Sequence, residues 1–182
     1  DEWRGKINED GGIFMNQASH YVDLVEWLFG KVEKVFSYMD NLDRNIETED
    51  VGTVILKFKS GALGNLNANV LTYPKNYEGS VTIIGELGTA KIGGIALNEI
   101  KEWNFRDENK DSNIFAENYK TKDVYGNGHY SFYNSVHNSI ISNKNYVSDG
   151  DEGIKSIKLL EAMYLSITSS SLIGPPIVIS NS

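Results

Sequence analysis

Asn16, His20, Asp23 and Trp27 recur at helical spacing within the run Gly11-Gly12-Ile13-Phe14-Met15-Asn16-Gln17-Ala18-Ser19-His20-Tyr21-Val22-Asp23, which continues to Trp27-Leu28-Phe29-Gly30. On one helix, at about 100° per residue, the four fall on a single stripe. An imidazole beside carboxamide and carboxylate groups suits proton transfer, because histidine changes charge near neutral pH. Ile13, Leu24, Val25 and Leu28 lie at neighbouring angles and anchor such a helix to a core. The same spacing suits a hydrogen-bonded structural histidine, and spacing alone does not choose between the two.

Other chemistries find little support. The 182 residues include no cysteine, which removes disulfides, thiolate metal sites and cysteine nucleophiles. There is no Walker loop, zinc spacing or calcium loop. His20, His129 and His137 are too scattered to argue a metal site, and no serine stands in a nucleophile elbow. Glu49-Asp50 and Asp151-Glu152 read as a solvated turn and a helix start, with no spacing that supports a glycosidase pair. The formal net charge of −8, without a basic cluster, argues against nucleic acid but leaves room for a small anionic ligand. No apolar run approaches the ~20 residues of a membrane span, and the acidic start is not a secretory signal. A cytoplasmic setting is expected.

These residues need elements to position them. The length suits one domain with one substantial core. The pattern predicts a first helix from about residue 11 or 13 to 29, capped by Asp10 or Asn8 and ended by Gly30. Strands are predicted at 32–39 and 51–58, with Val54, Leu56 and Phe58 on one face and Thr53, Ile55 and Lys57 on the other. A turn at Lys59-Ser60-Gly61 leads to a returning strand over 62–70. There Leu66, Ala68 and Val70 share one face, and Asn65, Asn67 and Asn69 share the other. An asparagine ladder is costly if buried dry, so a solvated face is the plain expectation.

Further strands are expected at 80–84, 89–92 and 97–103. Gly85, Gly88, Gly93 and Gly94 are turn glycines and do not form the G-x-G-x-x-G dinucleotide fingerprint. Residues 104–127 show no clear periodicity and are expected to be largely mobile. Helices follow at about 130–142 and 151–170, the latter with Ile154, Ile157, Leu160, Tyr164 and Ile167 on its buried stripe. A short final strand is expected at Ile177-Val178-Ile179.

The run from Gly11 to Gly30 resembles the opening helix of the C-terminal domain of the Gfo/Idh/MocA oxidoreductases. It is most similar to the branch acting on UDP-linked N-acetyl sugars and their uronic acids. Three further blocks resemble that family in order. They are Tyr73-Pro74-Lys75-Asn76-Tyr77-Glu78-Gly79-Ser80 leading into Ile84-Gly85-Glu86-Leu87-Gly88-Thr89, then Gly128-His129-Tyr130-Ser131-Phe132-Tyr133, then Asp149-Gly150-Asp151-Glu152-Gly153. The resemblance implies an α+β fold: a large, mostly antiparallel open mixed sheet with helices on one face, dihydrodipicolinate-reductase-like. It implies one substrate-binding and oligomerisation domain over 1–182, with NAD or NADP bound mainly by an upstream Rossmann domain that this chain does not carry. Neither a cofactor site nor a metal site is expected here.

The same resemblance implies roles for particular residues. His20 would hold or deprotonate the reacting sugar hydroxyl. Many family members have Asp where Asn16 stands; the UDP-sugar branch reads Asn-Gln there, so Asn16 and Gln17 would orient substrate hydroxyls. Arg4 would meet a carboxylate or phosphate bidentately. Lys75, Asn76 and Tyr77 lie on a strand-entry loop able to approach a ligand, and His129 either lines the pocket or only caps a helix. The implied ligand is a nucleotide sugar, and the implied assembly is a homo-dimer or homo-tetramer through the open sheet face. The alternatives are a non-catalytic carbohydrate-binding or scaffolding domain of the same fold, and an inositol or free-sugar dehydrogenase domain.

Overall fold

The computed structural model describes residues 4–106, 113–121, 126–144, 148–168 and 177–178. The chain divides into two compact units, Asp1–Pro74 with Val147–Ser182, and Lys75–Tyr146. Strands and helices are segregated and all described strand pairs are antiparallel, so the fold is α+β.

The first unit is built on β1 (Val32–Asp40), β2 (Val51–Phe58), β3 (Leu63–Asn69) and β7 (Ile177–Val178), in the order β3-β2-β1-β7. The two-residue period is obeyed closely. Val35 and Met39 of β1 and Val54, Leu56 and Phe58 of β2 are buried, whereas Tyr38, Thr53, Ile55 and Lys57 are exposed. In β3 the asparagines Asn65, Asn67 and Asn69 are exposed, and Leu66 and Ala68 face the core. The asparagine face is therefore wet, as its chemistry demands. Thr53 Oγ1 donates to Asn67 Oδ1 directly across the ladder.

Three helices cover the apolar face: α1 (Ile13–Asn16), α2 (Ser19–Phe29) and α4 (Gly150–Thr168). Ile13, Phe14, Ala18, Val22 and Val25 meet Leu159, Leu160, Ala162 and Met163 in one core with the strands. Phe14, Val22, Leu159, Leu160 and Met163 are almost fully buried, each burial favouring the fold by about 1.5–3 kcal/mol before entropy is counted. The stripe expected on α4 holds only in part. Leu160 is buried and Tyr164 and Ile167 pack at the core edge, but Ile154 and Ile157 are exposed. The small Ala162 and Ser166 take buried positions, and close contact begins only at Leu159. Asp149 caps this helix, its Oδ1 accepting from the N–H groups of Asp151 (3.0 Å) and Glu152 (3.1 Å).

The loop between β1 and β2 closes around Asp50, which is fully buried. Its carboxylate accepts N–H bonds from Leu42 (2.9 Å), Asp43 (3.0 Å) and Arg44 (2.8 Å). Burial pushes its pKa up; the backbone donors outweigh that, and the carboxyl sits below its ordinary range.

The second unit contains β4 (Val81–Ile84), β5 (Gly88–Gly93) and β6 (Glu99–Phe105) in that order, with α3 (Gly128–Ser142). Gly85 and Gly88 close the β4–β5 hairpin. Part of the stretch expected to be mobile is tied down. A 3₁₀ turn spans Ile114–Glu117, and the Asn118 carboxamide imitates a peptide at the edge of β6, its Oδ1 accepting from Ile100 N (2.6 Å). Asn98 Nδ2 donates to Tyr119 O at 2.6 Å. Residues 107–112 and 122–125 of that stretch lie outside the described residues.

A depressed carboxyl pKa stabilises the fold above its unfolded value and loses that contribution as pH falls through the folded value. Asp50→Asn is expected to cost roughly 1–3 kcal/mol at pH 7, since an acceptor facing three backbone donors is replaced. Urea titrations of both proteins should show the gap narrowing below about pH 4; a gap constant with pH would contradict this role.

Candidate functional site

The expected single helix from 13 to 29 is broken. The N–H groups of both Gln17 (2.8 Å) and Ala18 (2.9 Å) bond to Ile13 O, four and five residues back. The wide turn ends α1, and α2 restarts from Ala18, whose carbonyl accepts from Tyr21 (2.9 Å) and Val22 (3.1 Å). The one-stripe expectation for Asn16, His20, Asp23 and Trp27 is corrected accordingly. His20, Asp23 and Trp27 share the exposed face of α2, and Asn16 precedes the break. Val22 and Val25 anchor α2, with Leu24 half-buried and Leu28 exposed.

Neither Asp10 nor Asn8 caps α1. Its N-cap is Gly12, with φ +100 and no capping side chain of its own. Glu49 does the work from 35 residues away, its Oε1 accepting from Phe14 N–H at 3.0 Å. Asp10 instead ties two segments together. Its Oδ2 accepts from Gly5 N–H at 2.9 Å, and its Oδ1 accepts from Asn16 Nδ2. Asn16 Oδ1 accepts in turn from Gln17 Nε2 at 3.1 Å, and Asn16 O accepts from Ser19 Oγ at 3.0 Å.

A connected polar face follows. The turn bearing exposed Arg4 is linked through Gly5 and Asp10 to Asn16 and Gln17, with exposed His20 at the start of α2. Asp23 is engaged by Ser156 Oγ, 2.7 Å from its Oδ1, and so joins α2 to α4 rather than orienting His20. Lys75, Asn76 and Tyr77, all exposed ahead of β4, belong to the second unit, as does His129 in the first turn of α3. Arg4, Asn16, Gln17 and His20 all belong to the first unit, and hydrogen bonds through Asp10 join the Gly5 backbone to Asn16 and Gln17.

Glu49 and Tyr164 escaped the sequence reading as parts of this region. The Tyr164 hydroxyl donates to Glu49 Oε1 (2.7 Å), lies within reach of Gly11 O (3.0 Å), and accepts from Met15 N–H (3.3 Å). Burial, then the hydrogen bond and charge of Glu49, push the phenol well above its ordinary pKa. It remains a donor throughout the physiological range. Nothing local in sequence marks either residue.

Among the described residues no group of three His, Asp or Glu side chains is placed to hold a metal ion, and no helix is long and apolar enough to cross a membrane. The glycines Gly85, Gly88, Gly93 and Gly94 lie in or beside the antiparallel strands of the second unit, not in a strand-to-helix phosphate turn.

A model of the oxidoreductase family's C-terminal alpha/beta domain matches residues 1–174. The chain belongs to the Gfo/Idh/MocA oxidoreductase family. The backbone agrees. The WlbA dehydrogenase from Bordetella pertussis, solved in complex with NADH and UDP-GlcNAcA, superposes with a TM-score of 0.87 and 45% identity over 99% of this chain and 52% of that one. WlbA from Chromobacterium violaceum, in complex with the same two molecules, gives 0.85 and 45% over 100% of this chain and 50% of that one. This Gfo/Idh/MocA chain therefore spans about half the length of these relatives. GenD2 from gentamicin A biosynthesis, at 18% identity and TM-score 0.76, shares the fold.

The Asn16–Asp10 pair explains why a carboxamide suits this position. Asn16→Asp would set two carboxylates against each other, raising the pKa of one of them. The variant is expected to lose roughly 1.5–3 kcal/mol at pH 7. A raised pKa means the folded state holds an extra proton, so the deficit should shrink as pH falls towards 5. Thermal or urea melts at pH 5 and pH 7 check this, and an unchanged melt at pH 7 would contradict the pairing.

Proposed function

We propose that the chain is the substrate-binding and oligomerisation domain of an NAD(P)-dependent dehydrogenase that oxidises a secondary hydroxyl of a nucleotide-linked sugar, a UDP-N-acetyl sugar or its uronate. The observation carrying this reading is the 45% identity, sustained over essentially the whole chain, to WlbA dehydrogenases bound to NADH and UDP-GlcNAcA. The dinucleotide would be held mainly by a preceding Rossmann domain, because the glycines here serve antiparallel strands. A cytoplasmic setting suits a chain without cysteine.

In this reaction class the bound nicotinamide supplies the hydride acceptor. The residues of this chain handle the sugar and the proton. His20 is exposed on α2 and makes no hydrogen bond among the described residues, so its imidazole is available to a sugar hydroxyl. Gln17 spends one amide proton on Asn16 and keeps its carbonyl for a ligand. Asn16 uses both ends of its amide internally, which makes it the support for Gln17 as much as a direct contact. Arg4 offers a guanidinium to a carboxylate or phosphate. Lys75, Asn76, Tyr77 and His129 are further candidates for the nucleotide or sugar.

The open sheet face supports self-association into a dimer or tetramer. Tyr38 (60% exposed), Ile55 (52%) and Leu63 (77%) lie among Thr53, Asn65, Asn67 and Asn69 on that face. Large apolar groups clustered with hydrogen-bonding groups fit a wet protein interface. Sedimentation of the full-length protein should show a dimer or larger assembly that Ile55→Glu with Tyr38→Glu dissociates. A monomer at high micromolar concentration would contradict it.

The full-length enzyme assayed with UDP-GlcNAcA, other UDP-sugars, myo-inositol and glucose tests the substrate class. NAD(P) reduction confined to myo-inositol or glucose would favour the free-sugar reading, and no reduction with any would favour a binding or scaffolding domain. With the active substrate, His20→Ala should lower kcat about 10²–10⁴-fold while leaving the melting temperature nearly unchanged. A near-normal kcat would eliminate the role of His20 as base, and gross unfolding would make it structural.

A further inference from the structure

We infer that Glu49 and Tyr164 are positioning residues for the Asn16–His20 segment, holding the backbone of residues 11–15 so that Gln17 and His20 face the ligand. The inference rests on the functional reading above for the identity of that ligand. The geometry stands apart from it.

The α1 segment has four residues and is far too short to persist unaided. Its N-cap glycine provides no side-chain acceptor. Glu49 Oε1 receives both the Phe14 N–H (3.0 Å) and the Tyr164 hydroxyl (2.7 Å). The Tyr164 oxygen also receives the Met15 N–H at 3.3 Å and lies 3.0 Å from Gly11 O. Two side chains, one entering from the start of β2 and one from α4, thus grip the four residues Gly11, Phe14, Met15 and, by close approach, Gly12. A Cβ built on Gly12 would lie 2.2 Å from Glu49 Oε2, so the glycine is what lets the carboxylate lie over the turn. Phe14, fully buried, fixes the opposite side.

The wide turn at Ile13 O follows within one helical turn of this grip, and Asn16 and Gln17 follow directly. Rotating the turn even modestly would misplace Gln17 and His20 together, and an ångström-scale error in a reacting group can cost two orders of magnitude in rate. The carboxylate is used as an acceptor here. A carboxamide oxygen at the same place would serve, whereas removal of either side chain would not.

The test uses the full-length protein with Glu49→Gln, Glu49→Ala and Tyr164→Phe. Amide exchange should quicken at least tenfold at Phe14 in Glu49→Ala and at Met15 in Tyr164→Phe, spread to Asn16 and Gln17, and stay near wild type in Glu49→Gln. Steady-state kinetics should show the sugar KM raised about five- to tenfold, and kcat lowered, in Glu49→Ala and Tyr164→Phe, with the NAD(P) KM unchanged and Glu49→Gln within twofold of wild type. Unchanged exchange at Asn16 and Gln17 would overturn the inference, as would quickened exchange with an unaltered sugar KM. If Glu49→Ala fails to fold, Tyr164→Phe against Glu49→Gln decides by the same readouts. A wild-type enzyme inactive on UDP-sugars would instead remove the substrate reading; the exchange measurement, and the KM for whichever substrate is active, would still judge the clamp.

Discussion

One carboxylate organises the start of the first unit. Glu49 caps a helix that has no cap of its own, and it does so next to Asp50, which gathers the loop between β1 and β2. Adjacent acidic residues at the entry to β2 thus face opposite tasks. One satisfies the orphan N–H of α1, and the other satisfies three N–H groups of its own loop. Both depend on β2 being held in register, because the alternation along Val51–Phe58 decides which way the preceding residues point. The sheet therefore sets the helix start, and the helix start sets the polar face that carries Gln17 and His20.

Much of the scaffold was legible in sequence. The strands β2 and β3 alternate cleanly because one face is buried and the other wet, and burial of a single face writes a two-residue period into the chain. Gly30 and the end of α2 were equally plain. The break at residues 17 and 18 was not, since neither glycine nor proline marks it. It arises from a shift in backbone bonding at Ile13 O beside a deeply buried Phe14, and tertiary packing of this kind leaves no local signature. The exposed Ile154 and Ile157 misled in the opposite sense. Apolar period alone does not say where along a helix the core begins.

The candidate site divides in the same way. His20, Asn16 and Gln17 could be singled out because they lie within five residues and share one short segment. Glu49 and Tyr164 stand 35 and 149 residues from the groups they hold, and only the fold brings them there. Asp23 read as a partner of His20 by spacing but pairs with Ser156 on α4. Helical spacing identifies which residues share a face. It does not identify which neighbour competes for them.

Gln17, at the end of α1, and His20, in the first turn of α2, are proposed to meet the sugar end of a UDP-linked substrate. A crystal structure of the full-length protein with NAD and UDP-GlcNAcA addresses this directly. A His20 ring nitrogen is expected about 2.6–3.2 Å from a sugar hydroxyl, with the Gln17 amide on the same sugar. A sugar ring bound away from α2, with His20 still facing solvent, would contradict it.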